Sequence, residues 1–573
     1  MPNVDLVLLH APSVYDFRKL PAMYGPISDV VPSTAIFEMY PLGFVSMIGY
    51  LEQNGYSARI VNLAVKMLKN PSFDVESFLR KLDAKVYGFD IHWLPHTAGS
   101  LDLAEIVKKH HPDAPVLIGG LSASYFHEEL IEHFPQVDYI LRGDTTEKPL
   151  VNLMEKIEKG AEPETVENLT WRTQDGRKKV NPLSFVPKHQ DDMWIDYGEV
   201  VKQVLRHRDL ESTLPYESFM EYPFTAVLTC KGCSYNCITC GGSCYAFKNF
   251  YNRDGPAFKT PEKLTEEIRI VSDYFKAPIF LIGDLRQGGK KWAESVLQGL
   301  KEEDLDNTIT FELFDTVPIN WMDKLASSTN SWTLEISPET HEDSIRRIMG
   351  KPYTTDAMEK TVRNALERGA EKLDIYYMVG LSGQSPESVL NSVEYTKRLY
   401  DKMGKSKKIF SFISPMAPFL DPGSKVFEYP ERYGFTKLFH TIREHKQAMY
   451  QPSWKLYLSY YTNWMSRDQI AETTYEAMIQ MNKLKMDIGV TSERHGETVE
   501  AGLKLARDIM RKIDLIQSST KDESERLLRY NKLRDEIEEA KKSTVVSKKE
   551  LRMPGLAGIR LKSAFKVLLK LFS

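Results

Sequence analysis

The chain has 573 residues, 42% of them hydrophobic and 27% charged, with a formal net charge of -4. Single hydrophobic cores stop growing well below that length, so two or three domains are expected. The near-neutral balance excludes the basic footprint of a nucleic-acid-binding domain, and no apolar run is long enough to span a bilayer.

From Val4 to about Lys159, short β-branched runs alternate with helical patterns. VDLVLLH, SARIVNL, KVYGFDI, PVLIGG and DYILRG read as strands, with PLGFVSMIGYLEQNGY and HEELIEHF among the helices between them. This alternation predicts an α/β fold with a doubly wound parallel sheet over residues 1–160, binding its ligand at the strand carboxyl ends. Residues 161–222 read as a connection with one hairpin, where Asp175 and Gly176 separate LTWRTQ from RKKVNP. A second alternation over 223–430, with strands FTAVLT, PIFLIG, TITFELF, SWTLEIS, KLDIYYMVG and KKIFSFIS, predicts a partial or complete βα barrel. Residues 431–515 read as helical. Residues 516–573 read as a charged helix and a basic tail in which Lys562, Lys566 and Lys570 share one helical face and Leu561, Phe565, Leu568 and Phe572 another. Such a tail suits a membrane surface or a partner, and equally a helix packed on its own domain.

All five cysteines lie in TCKGCSYNCITCGGSC, Thr229–Cys244, directly after the first barrel strand, where barrel chemistry is expected. The N-terminus enters a strand with no basic region or small-residue cleavage site, so a cytoplasmic location is expected, with reduced thiols that favour metal or redox chemistry. The order is C-x2-C-x3-C-x2-C-x3-C. A structural zinc site wants two ligand pairs separated by a dozen or more residues, whereas a compact loop suits one face of an iron-sulfur cube. Zinc stays the alternative. His92 and His96 are four residues apart, but Pro95 between them argues against a regular helix, so the pair is not read as a metal site.

Cys233, Cys237 and Cys240, as C-x3-C-x2-C followed by Gly241 and Gly242, resemble the signature of the radical S-adenosylmethionine (SAM) superfamily. The resemblance implies an oxygen-sensitive 4Fe-4S cluster on those three thiolates, with the fourth iron open to SAM. It implies reductive cleavage of SAM to a deoxyadenosyl radical that takes hydrogen from an unactivated carbon. FLIGDL is similar to the turn that receives the SAM amino group, which makes Gly283 and Asp284 candidates. LEISPETHEDSIRRIMGKPYT resembles the fourth-strand element, with Glu335 and Ser337; MVGLSGQSPESV resembles the fifth-strand turn, with Gly380. PMAPFLDPGS is similar to the sixth-strand end of cobalamin-associated members. The first domain resembles the cobalamin-binding module of class B enzymes, and the likeness of PVLIGGLSAS and VDYILRGDTTEKPL implies cobalamin contacts at Gly119, Gly120 and Gly143. His92 or Trp93, after the third strand, is the expected shield under the cobalt. The resemblance therefore implies methyl transfer from methylcobalamin to a carbon. A cyclase or carbon-carbon bond-forming enzyme on a lipid or tetrapyrrole is the second reading, and a non-catalytic zinc- and nucleotide-binding protein the third. The expected partners are a small-molecule or lipid substrate, an external electron donor such as flavodoxin or ferredoxin, and the inner membrane face through the basic tail; no nucleic acid is expected.

Overall fold

The computed structural model describes residues 4–22, 24–26, 33–193, 195–542, 548–553 and 558–560. The basic tail read from Leu561 onward lies outside them.

The first domain is a seven-stranded sheet: β1 (Val4–His10), β2 (Ala58–Asn62), β3 (Ala84–Asp90), β4 (Val116–Gly119), β5 (Tyr139–Leu141), β6 (Leu169–Arg172) and β7 (Lys178–Val180). Their spatial order is β2-β1-β3-β4-β5-β6-β7, and β1 to β5 are parallel. In β1 and β3 every residue except Asp5 and Lys85 is buried, as helices on both faces of a parallel sheet require. The order reverses between β1 and β3, which makes their carboxyl ends the ligand crevice of such a sheet. Local chemistry starts the helices. Asn62 ends β2 and its side chain accepts from Val65 N–H at 3.0 Å, turning the chain into the helix Leu63–Lys69.

The hairpin assigned to the connection is a correction. β6 pairs antiparallel with β5, and β7 with β6, so residues 169–180 complete the first sheet. The three-residue β5 would otherwise be an open edge.

The second domain holds six parallel strands, Thr225–Leu228, Ile279–Ile282, Ile309–Leu313, Trp332–Glu339, Lys372–Val379 and Ile409–Pro415, hydrogen-bonded in that sequence order. The first and sixth are the two edges of a partial barrel. Two of its helices open on Thr260-Pro261 and Ser385-Pro386, a capping hydroxyl followed by a proline pre-set for the first turn.

Beyond Pro430 helices dominate, chiefly Arg467–Ile488 and Glu493–Ser519; the first has a capping box of Ser466 and Gln469 and stops at the left-handed Gly489. A short antiparallel pair, Phe435–Lys437 with Tyr460–Thr462, falls in this part, where none was expected from the pattern. Further on, the chain returns beneath the barrel. Glu550 meets Lys485 and Thr491, the Lys372 ammonium lies 3.8 Å from the Met553 sulfur, and Gly558–Ile559 pairs with Phe275–Lys276. Among the described residues no helix is long and apolar enough to cross a membrane.

Candidate active site

The cysteine loop leaves the first barrel strand as a two-residue ladder, Cys230–Lys231 against Ala257–Phe258, and ends in the helix Cys244–Phe250, capped by Ser243. Inside it, the N–H of Tyr235 donates to Cys233 Sγ at 3.3 Å and that of Gly242 to Cys240 Sγ at 3.3 Å. Segments that follow the fourth and sixth strands hold it in place. Ile238 N–H donates to the Met349 carbonyl at 3.2 Å, Val426 N–H to the Ile238 carbonyl at 3.0 Å, and Gly241 N–H to Asp421 at 3.0 Å. Gly350 sits against the loop with φ +98°, where a Cβ would lie 2.9 Å from the Cys237 Cα. Only glycine suits that backbone and that approach.

The three signature thiols fit an iron-sulfur cluster. Burial pushes Cys233 up to about 12 and Cys237 up to about 11; neighbouring thiols raise Cys233 and Cys240 further, and Glu339 raises Cys237. Cys240, whose pKa is also raised by burial, keeps accessible side-chain surface. A cluster on three thiolates would answer that charge, with N–H donors aimed at two of the sulfurs. The other two cysteines flank the signature. Cys230, pushed up to about 11 by burial, lines a narrow cleft between the domains with Ser46, Glu147 and Lys259, and Cys244 opens the helix after the loop.

The SAM-side candidates divide. Gly283 N–H donates to Glu312 at 2.6 Å, and Glu312, from the third strand, is pushed up to about 7 by burial against the Gly283 bond and the Lys351 charge. Asp284 is held by its neighbours: its carboxylate receives Arg286 Nε at 2.9 Å and Phe314 N–H at 3.1 Å and is almost fully buried. The acid that faces the glycine turn is Glu312. Its only sequence signal is the polar position in TITFELF. At the fourth strand the register shifts between Ile336 and Glu339, and Glu339 takes φ +66°. That bulge brings Glu339 within 3.1 Å of Lys351, whose ammonium also donates to the Ser337 carbonyl. Burial opposes the charge on Lys351, but Glu339 raises its pKa, and the ammonium acts on Cys237. Glu335 is buried on the same strand. Gly380 N–H donates to Gln384 at 2.9 Å at the fifth-strand turn. Asp421, in PMAPFLDPGS, is pushed up to about 6 by burial beside Gly241.

In the first domain Gly119 ends β4 opposite Asp90, and a Cβ there would meet the Leu141 carbonyl oxygen at an ordinary 4.0 Å. Gly120 serves the protein itself, because a Cβ there, at φ +110°, would lie 2.6 Å from the His92 backbone. Gly143 N–H donates to Ser124 Oγ at 2.9 Å. His92 is half-buried and its pKa is lowered by burial, with Lys231 of the cysteine loop adding to the effect; Trp93 beside it is 38% exposed. A ring and an indole on the β3 loop, next to a glycine at the end of β4, fit a flat ligand in the switch-point crevice.

The two crevices are clasped together. Asp144 accepts from Arg253 Nε at 2.6 Å and Nη2 at 3.0 Å, and Lys231 Nζ donates to the Asp144 carbonyl at 2.8 Å. The carboxyl-terminal edges of both sheets therefore meet at the cysteine loop.

Residues 29–151 match the family model of the B12 binding domain, and residues 227–396 that of the radical SAM superfamily. The chain belongs to the radical SAM superfamily, in the branch that carries a cobalamin-binding domain. It is 21% identical over 438 residues, 75% of this chain and 86% of the relative, to an uncharacterized methyltransferase of Pyrococcus horikoshii. It is 22% identical over 285 residues, 48% of this chain and 49% of the relative, to the hopanoid C-3 methylase of Methylococcus capsulatus. The fold is similar to that of the radical SAM methyltransferase TsrM from Kitasatospora setae with cobalamin and a 4Fe-4S cluster bound, at TM-score 0.56 and 16% identity, over 84% of this chain and 89% of that one.

Proposed function

We propose that the protein is a C-methyltransferase acting on an unactivated carbon. The observation that carries this reading is the Asp144–Arg253–Lys231 clasp, which sets the strand ends of a B12 binding domain against those of a radical SAM domain. When bound, the cluster supplies the electron that cleaves SAM to a deoxyadenosyl radical, and methylcobalamin supplies the methyl group. The chain's own residues do the rest. Cys233, Cys237 and Cys240 hold the cluster, Glu312 and Gly283 form a turn for the SAM amino group, and the Glu339–Lys351 bulge orders the fourth-strand end. Arg253 and Lys231 keep the two crevices closed on one another, so that a carbon activated in one is within reach of the other.

A lipid is the substrate class we favour. Its support is the similarity to a hopanoid methylase and a basic amphipathic tail sequence suited to a membrane surface. This implies a cytoplasmic protein, peripheral at the inner membrane face, that takes electrons from a flavodoxin or ferredoxin. The test is anaerobic turnover of lipid extract with SAM, methylcobalamin and a reductant, read by mass spectrometry. Gain of one methylene unit in a lipid, with deoxyadenosine formed, is expected. Deoxyadenosine with loss of two hydrogens from the product, and no methyl gain, would mean cyclisation instead.

A further inference from the structure

His10 ends β1, Asp90 ends β3, and His96 opens the helix His96–His110 that follows; the three residues are 0%, 3% and 2% exposed. Pro95 precedes that helix without breaking it, and His96 turns inward to His10. The two imidazoles share one acceptor. Nε2 of each lies 3.0 Å from the Phe37 carbonyl. A carbonyl cannot donate, so each Nε2 carries its proton, and in a neutral ring the Nδ1 then bears a lone pair.

Both Nδ1 atoms face the Asp90 carboxylate, His10 at 2.8 Å from Oδ1 and His96 at 3.7 Å from Oδ2. A second proton on His10 would make one ion pair of this group. It would leave His96 Nδ1 and Asp90 Oδ2 as they are, buried, without a hydrogen-bond partner and both lone-pair bearing. That arrangement is costly, because each atom has lost water and gained nothing. A cation between the three side chains would use every one of these lone pairs. Neighbouring charge favours one as well. Glu38, next to Phe37, is a second fully buried carboxylate, hydrogen-bonded by Thr34 and by backbone N–H groups that include Glu217.

We propose that His10, Asp90 and His96 bind one divalent zinc-type ion through the two Nδ1 atoms and the Asp90 carboxylate. Two imidazoles and a carboxylate are zinc ligands, at bond lengths of about 2.0–2.2 Å. The ligand atoms here lie within 4.8 Å of one another. With both carboxylate oxygens engaged the set supplies four donors, the number a closed structural site uses. The Phe37 carbonyl provides the further support such ligands have, an acceptor on the second ring nitrogen that fixes tautomer and orientation. Burial denies the ion a solvent-facing position, which separates the site from oxygen-activating iron centres built of the same residues. The ion ties the ends of β1 and β3 to the loop carrying Phe37, and so braces the floor of the crevice. It does not depend on the methyl-transfer reading.

The test uses the full-length protein, purified without oxygen with its cluster and cobalamin, then supplied with zinc and freed of excess. Elemental analysis is expected to find about one zinc per chain beside the iron, and zinc-edge X-ray absorption to find nitrogen and oxygen neighbours only. His96→Gln and Asp90→Asn are expected to lose the zinc and keep the iron. Absence of zinc, zinc with sulfur neighbours, or zinc retained in both variants would overturn the proposal. Should the variants not fold, the unaltered protein decides: chelation is expected to lower its Tm by several degrees and zinc to restore it. A Tm indifferent to zinc overturns the site.

Discussion

Asp144, in the loop after β5, and Arg253, beyond the cysteine loop, form a two-pronged ion pair with side chains only 7% and 3% exposed. Removing one partner of such a pair strands the other charge, at a cost of about 3–5 kcal/mol. Arg253→Ala is therefore expected to lower the Tm and to open the chain to proteolysis between the domains, while iron content stays near one cluster. Arg253→Lys keeps the charge but loses the fork and should fall between the two. A Tm unchanged in Arg253→Ala would show that the domains are held elsewhere.

Cluster loading separates the five cysteines. Ala at Cys233, Cys237 or Cys240 is expected to abolish bound iron and deoxyadenosine formation, whereas Ser at Cys230 or Cys244 keeps both. Gly350→Ala should act like a weaker cysteine variant, because its Cβ would press on Asn236 and Cys237. Iron and sulfide assays on protein reconstituted without oxygen check all six.

Glu312 gives a pH signature. Burial raises its pKa from the ordinary carboxylate range to about 7. In the ligand-free fold it therefore binds a proton more tightly than in the unfolded chain. Its contribution to stability is present below its unfolded value and is lost as pH rises through about 7. Melting curves of ligand-free protein between pH 5 and 8.5 are expected to fall more steeply for the unaltered protein than for Glu312→Gln. Parallel curves would sink the assignment.

The tail is tested by truncation after Arg560. The shortened protein is expected to lose sedimentation with anionic vesicles and to turn over detergent-dispersed lipid at the original rate. Equal sedimentation of both forms would remove the membrane from the account.

Most of the architecture was legible because parallel strands buried on both faces are written as short apolar runs, as in VDLVLLH and KVYGFDI. The cysteine loop was legible because its residues are contiguous. What escaped was set by long-range packing. The hairpin at Asp175 showed its turn but not its partner, since the pairing of β6 with β5 depends on an edge exposed by the fold. Asp284 and Glu312 are separated in the sequence by a whole helix, and nothing local says that Arg286 claims the first and leaves the second to Gly283. His10 and Asp90 are 80 residues apart and meet because parallel strands bring their ends level.

The segment that closes the barrel from below has a bearing on biogenesis. Phe275–Lys276 pairs with Gly558–Ile559, and Lys372 meets Met553. On the ribosome, the six barrel strands and the cysteine loop emerge long before the residues that seal their underside. A nascent chain must thus expose that surface throughout the synthesis of the helical region.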